Sequence, residues 1–233
     1  MPELSIDQKL EPTERTDFQN KKKNFTKLQA SLLIVATLIV SLFAGYFISD
    51  KYVWPNQEEA RILEQIDYYK GLVDKKPNDP GHRVNLGYSY FIYGDNENAI
   101  KQLLVATNLD NKNFGAYFNL GLVYNAEKRY DDAGRMAQKA EALGPKNFQA
   151  HLLSGMVYRN LKQYDKALES LKKSLELMPT NTDSITEIAR VYEDQKKYEE
   201  AEKFYKEALS YDPLYKPASK GLERVDSKLK DNK

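Results

Sequence analysis

His82 and His151 are the chain's two histidines. They are the first residues to test for acid–base or metal chemistry, because imidazole titrates near neutral pH and binds metals readily. Neither has company. The chain has no cysteine, which excludes thiolate metal sites, a thiol nucleophile and disulfides. Each histidine falls early in a different predicted helix, where a lone imidazole far more often packs or faces solvent than ligates or catalyses. The acid pairs Asp131-Asp132 and Glu199-Glu200 stand at predicted helix starts and complement the helix dipole there. No Gly-rich phosphate loop follows a strand, and neither G-x-S-x-G nor H-E-x-x-H occurs. The sequence therefore predicts a protein that is not an enzyme and uses no metal or cofactor. What remains is the chemistry of recognition, and the elements that would position it.

Those elements are set by one period. Gly87, Gly121, Gly155 and Ala189 are each 34 residues apart. Tyr90, Tyr124, Tyr158 and Tyr192 keep the same step, as do Ala99, Ala133, Ala167 and Ala201, and Asp79, Asn113, Asn147 and Asn181. A fixed period of this size predicts a solenoid of repeated units, none of which can bury its apolar face alone. The 17 tyrosines against one tryptophan follow largely from the repeat. A formal net charge of +1 over 233 residues gives no field that would draw the whole chain onto nucleic acid, and no nucleic-acid partner is expected.

The N-terminal region follows different rules. Residues 1–27 are polar, with Pro2 and Pro12, and end in Lys21, Lys22, Lys23 and Lys27; we expect a disordered, basic-ended tail. Ala30 to Ile48 is nineteen residues without a charge, eleven of them Leu, Ile, Val or Phe. At a rise of ~1.5 Å per residue it would cross roughly 30 Å, one hydrocarbon core. A single transmembrane helix over 28–50 is the expectation. The segment has no polar face, as a buried soluble helix would, and no small-x-small cleavage site, as a signal peptide would. The lysines before the span put the N-terminus in the cytoplasm and the repeats outside, with Tyr46, Tyr52 and Trp54 at the outer interface. Thr37, Ser41 and Gly45 fall four apart, a small-residue face on which another membrane helix could pack.

Residues 51–79 read as a linker and a degenerate half-repeat helix, with Ile62, Ile66, Tyr69 and Val73 at helical spacing and Pro77 ending it. Four full units follow over 80–113, 114–147, 148–181 and 182–215, each a helix pair. Asp79, Asn113, Asn147 and Asn181 can accept backbone N–H bonds where the first helices start. The glycines and Ala189 allow close helix approach, as the periodic alanines do on the second helices, and Pro145, Pro179 and Pro213 stop those second helices. Residues 216–233 form a last, capping helix with one apolar stripe, Leu222, Val225 and Leu229, and charge elsewhere.

These residues resemble the tetratricopeptide (TPR) repeat, a 34-residue helix-turn-helix with large apolar, Gly/Ala, Tyr, Ala and Pro at set offsets. Units two to four match well; unit one departs, with Asn96 and Asn111 where Tyr and Pro are usual. The resemblance implies an all-α superhelical solenoid whose first helices line a concave face. Carried over residue by residue, it places Val84, Asn85, Tyr88, Phe91 and Ile92 on that face in unit one, and Phe118, Asn119, Leu122 and Asn125 in unit two. Leu152, Leu153, Met156 and Arg159 follow in unit three, and Thr186, Glu187, Arg190, Glu193 and Asp194 in unit four. The expected groove, Val84, Asn85, Tyr88, Phe91, Phe118, Asn119, Leu122, Leu152 and Met156, is apolar near the membrane and gives way to charge at the far end. It would hold a peptide or an amphipathic helix, with asparagine amides orienting its backbone. The family's clamp for a terminal carboxylate uses Lys, Arg and Asn; here Val84, Tyr88 and Leu153 stand in the corresponding region, only Asn119 agrees, and that ligand class is not expected.

The functional expectation is a membrane-anchored, extracytoplasmic TPR scaffold that recruits protein partners as an accessory subunit of an envelope complex; the alternative is a holdase-like chaperone for exported proteins. The lysine bias makes a topology prediction. With no native cysteine, Lys233→Cys should react with a membrane-impermeant thiol reagent in intact cells, and reaction only after permeabilisation would place the array inside.

Overall fold

The computed structural model describes residues 27–48 and 57–231, with side chains over 31–45 and 57–230. It divides into two units, residues 1–55 and 56–233. The expected tail, Lys21 to Lys23, Tyr52 and Trp54 lie outside the described residues.

In the first unit, helix α1 runs Lys27–Ile48, and its described side chains, Ser31 to Gly45, are exposed all round. Thr37 Oγ1 and Ser41 Oγ donate to the carbonyls of Ile34 and Leu38, each at 2.9 Å. Each therefore satisfies its hydroxyl within its own helix, and Gly45 meets nothing within 4 Å. Among the described residues nothing packs on Gly45 of the predicted small-residue face. Among the described residues no helix is long and apolar enough to cross a membrane. The residues needed to complete the expected span, Ala30 and Tyr46 to Ile48, fall outside the described side chains, and Ser31 to Gly45 alone is shorter than the ~20 residues a bilayer requires.

The second unit is helical wherever it is described. Helix α2 (Gln57–Lys75) precedes four pairs: α3 (Pro80–Tyr93) with α4 (Asn96–Leu109), α5 (Phe114–Ala126) with α6 (Tyr130–Leu143), α7 (Phe148–Asn160) with α8 (Tyr164–Leu177), and α9 (Thr182–Asp194) with α10 (Tyr198–Tyr211). Helix α11 (Lys216–Asp231) closes the array. Each helix packs on its sequence neighbours, and successive first helices α3, α5, α7, α9 and α11 also touch one another. Helix α2 packs on α3 alone, as a second helix without its first would.

The period fixes three local devices. At each first-helix start the predicted cap residue accepts backbone bonds: Asp79 from Gly81 and His82, Asn113 from Ala116, Asn147 from Gln149, Asn181 from Ser184. These caps satisfy N–H groups that the helix cannot. Between first and second helix the chain passes through a left-handed residue, Gly94 (φ 93°), Lys128 (φ 61°), Lys162 (φ 59°) and Lys196 (φ 60°). Its N–H and the next bond back to the helix, the latter always to the repeat tyrosine carbonyl: Asp95 to Tyr90, Arg129 to Tyr124, Gln163 to Tyr158 and Lys197 to Tyr192, all at 2.9 Å. This is a Schellman closure, and three of its four units place a lysine where glycine would be unstrained.

The third device is close packing. A Cβ on Gly87 would stand 2.7 Å from Leu103 Cγ, and one on Gly155 would stand 2.5 Å from Leu171 Cγ. Ala99, Ala133, Ala167 and Ala201 are fully buried. The repeat tyrosines fill the remaining space, Tyr124 within the first core cluster and Tyr192 stacked on Phe204 at 5.4 Å. Gly155→Ala should therefore overpack this contact and lower stability by about 1–3 kcal/mol. Gly134→Ala, whose Cβ would meet only Val157 at 3.8 Å in the middle of α6, should raise it by about 0.5–1 kcal/mol. Thermal unfolding of the two variants, read by circular dichroism, checks both signs.

Candidate binding groove

The first helices bring most of the expected recognition residues to one place. Asn85 and Tyr88 from α3, Phe118, Asn119 and Leu122 from α5, and Leu152, Leu153 and Met156 from α7 line a cavity of about 450 Å³. Phe148 and Gln149 at the α7 start, and Asn181 and Asp183 at the α9 start, complete its wall. The i, i+1, i+4 spacing of the α5 and α7 residues, with steps of three and four to Leu122 and Met156, is what points them to one side of their helices. Phe118 is held by stacking on Phe114 at 5.7 Å between ring centroids. Helix α2 contributes no residue to the wall, so the half-repeat helix does not fill the groove.

Two expected groove residues lie elsewhere. Val84 is half-buried, packs against the first core cluster and meets Gly115 of the next unit. Phe91 is likewise packed on that cluster. Both serve contact between units, because the superhelical twist turns these offsets of α3 towards α5 and away from the cavity.

Asn119 is the most informative polar side chain in the wall. It is 9% exposed, and among the described residues its amide has no hydrogen-bond partner, whereas the comparable Asn125 accepts from Asn160 Nδ2 at 2.8 Å. Among the described residues the fully buried side-chain atoms without a partner are His82 Nδ1, Thr186 Oγ1 and Gln195 Oε1, so the Asn119 amide still reaches solvent and is open to a ligand that can bond it.

The far end of the concave face differs from expectation. Thr186 and Glu187 are buried, at 1% and 3% exposure, and do not face a groove. Arg159 Nε donates to Glu187 Oε2 at 3.0 Å, its Nη1 donates to Asp194 Oδ2 at 3.0 Å, and Arg190 donates to the other Glu187 oxygen. The charges of unit four thus tie α9 to α7. The periodic pattern could not reveal this, since it identifies offsets but not which charges pair across 28 and 35 residues.

A second tie fixes the cap. Arg224 donates from Nε and Nη2 to the two Glu193 carboxylate oxygens, each at 2.9 Å, and the Tyr205 hydroxyl donates to Glu193 Oε2. Burial alone would raise the Glu193 pKa, but the Arg224 and Tyr205 hydrogen bonds outweigh it and hold it below the ordinary value. Burial, then the bond to Glu193, pushes the Tyr205 hydroxyl well up. His151 has ordinary partners, Nε2 at 2.9 Å from the Pro145 carbonyl oxygen and Nδ1 at 3.2 Å from Glu141, whereas His82 Nδ1 is buried without a hydrogen-bond partner among the described residues, 3.9 Å from Asp79 Oδ2. Among the described residues no group of three His, Asp or Glu side chains could hold a metal ion.

Repeat models match three stretches: two described as tetratricopeptide repeat, over residues 147–213 and 114–147, and one described as TPR repeat over 87–127. Together with caps, turns and helix pairs in one register, this decides the family. The chain is a tetratricopeptide repeat protein. Solved structures agree. A MamA crystal structure is similar at 28% identity, over 64% of this chain and 86% of that one, with a TM-score of 0.55. TTC0263, a thermophilic TPR protein of Thermus thermophilus, is similar at 24% identity over 73% and 91%, with a TM-score of 0.64. YrrB, described as a TPR protein with an unusual peptide-binding site, is similar at 21% identity over 70% and 84%, with a TM-score of 0.53. The last two show the fold alone. No curated protein sequence matches the chain.

The cap tie of this TPR array sets a pH dependence. Glu193 has a depressed folded pKa, so its contribution is present above the unfolded value of about 4.5 and is lost as pH falls through the folded value. Protection against hydrogen exchange in α11 should therefore decline as pH falls below about 4.5, ahead of α5 to α8. Glu193→Gln should already show lower α11 protection at neutral pH and no further acid-side decline. Equal α11 protection in the parent protein across that range would show that the tie does not hold the cap.

Proposed function

We propose that this TPR protein is a membrane-anchored scaffold. Its array binds a peptide or amphipathic helix of a protein partner in the apolar cavity of α3, α5 and α7, as an accessory subunit of a bacterial envelope complex. One observation carries the binding assignment: a cavity of about 450 Å³ whose wall joins seven apolar or aromatic side chains to five polar ones, the most buried amide, Asn119, being unpaired among the described residues. Binding pockets are of this size and kind, apolar with a few polar groups that fix orientation. An extended backbone passing Asn119 supplies both an acceptor and a donor, while Phe118, Leu122, Leu152 and Met156 take its apolar side chains.

The anchoring assignment is supported by the uncharged stretch from Ala30 to Ile48 and by the exposure of every described α1 side chain, Leu32 at 61% and Phe43 at 69% among them. Apolar surface on this scale requires a lipid or protein covering. The face of Thr37, Ser41 and Gly45 offers a partner span its place of contact.

Photo-reactive residues at Tyr88 and Phe118, activated in intact cells, test the groove. A single partner captured in stoichiometric yield supports the scaffold; many unfolded clients favour the holdase reading. Tyr88→Ala with Phe118→Ala should lower partner affinity about tenfold or more, as loss of aromatic anchors does. The helical circular dichroism should remain, because Tyr88 is 45% exposed and Phe118 half-buried. Unchanged affinity in the folded double variant would refute the groove.

A further inference from the structure

The charge of the cavity narrows what it takes. Asp183 is the charged side chain in its wall, and no Lys or Arg lines it. The Tyr215 hydroxyl donates to Asp183 Oδ1, while Oδ2 has no partner among the described residues. The nearby cations are already paired: Arg159 is held by Glu187 and Asp194, and Arg190 by Glu187. Asp183 stands in the first turn of α9, whose N-terminus carries about half a positive charge. The full negative charge of the carboxylate outweighs it. The opposite end of the cavity, at Asn85 and Tyr88, is uncharged.

We infer that the groove is selective for an apolar peptide segment flanked by a cationic group, a lysine or arginine side chain or a peptide's α-ammonium, seated on Asp183 at the α9 end. This rests on the groove reading above and adds a sign and a direction to it. An acidic flank or a terminal carboxylate at that end meets an unpaired like charge with no cation to offset it, which disfavours it. The effect is that of a partly exposed ion pair, modest in size and sensitive to salt. The apolar wall supplies affinity, and Asp183 supplies discrimination and orientation.

The test uses the full chain in lipid nanodiscs, with empty nanodiscs as blank. Fluorescent peptides share one four-residue Leu/Phe core and carry Lys, Gln or Glu on either flank. At low ionic strength the Lys-flanked peptide should bind about 3- to 10-fold more tightly than the Glu-flanked one, with Gln between. The spread should shrink in about 0.5 M salt, vanish in Asp183→Asn and reverse in Asp183→Lys. Equal binding of all flanks, still abolished by Phe118→Ala with Tyr88→Ala, would overturn the charge selectivity and leave the groove standing. Failure of every peptide to bind would overturn both.

Discussion

The array depends on a missing side chain. At Gly87 and Gly155 the first helix of a unit comes so near the second that a single methyl group would stand 2.7 Å and 2.5 Å from a leucine. Interiors are close-packed and do not absorb such overlaps. That approach sets the angle within a helix pair, and the angle, repeated, sets the superhelix and the concave face. The buried alanines of the second helices and the tyrosines between the helices are shaped to the same spacing.

The contact is kept where the residues change. In unit two, Ala137 stands in the place of Leu103 and Leu171 and leaves room. Leu153 of the next first helix fills it, standing 2.7 Å from where a Gly121 Cβ would be. In unit four the place is taken by Tyr205, which is larger, and its ring overlies Gly221 of α11, where a Cβ would stand 2.3 Å from it. Volume is thus conserved across neighbouring units rather than within each one, as volume-preserving exchanges in cores require. Leu153, although it reaches the cavity wall, is therefore committed to the core at 1% exposure, while its neighbours Leu152 and Met156 stay half-buried.

The concave face therefore has two halves with different work. Units one to three leave an apolar cavity and an unpaired amide. Unit four directs its charge to α7 and the cap, through Glu187 with Arg159 and Arg190, and Glu193 with Arg224. A buried carboxylate demands paired donors, so these residues are structural, and Asp183 at the junction is the charge left over. The end of the array is thereby tied by ion pairs while the beginning leaves a cavity, and the two meet between α7 and α9.

The sequence by itself determined the repeat, the helix starts and stops, the class of fold and most of the groove. Asp79, Asn113, Asn147 and Asn181 cap as expected because capping is local, decided by a side chain and a backbone two or three residues away. Asn85, Tyr88, Phe118, Asn119, Leu122, Leu152 and Met156 share a wall because a fixed period fixes a face. The left-handed turns at Lys128, Lys162 and Lys196 are not legible in the sequence because lysine carries no turn signal, although the same 34-residue step links them to Gly94. Tertiary structure alone decided the rest. Val84 and Phe91 turned into the contact between units, Glu187 was buried, and Asp183 kept an oxygen without a partner among the described residues. Each outcome depends on which side chain from another unit arrives at the same point. A period states where a residue sits on its own helix; the twist between units, set by the summed volumes of many packed residues, states what it meets.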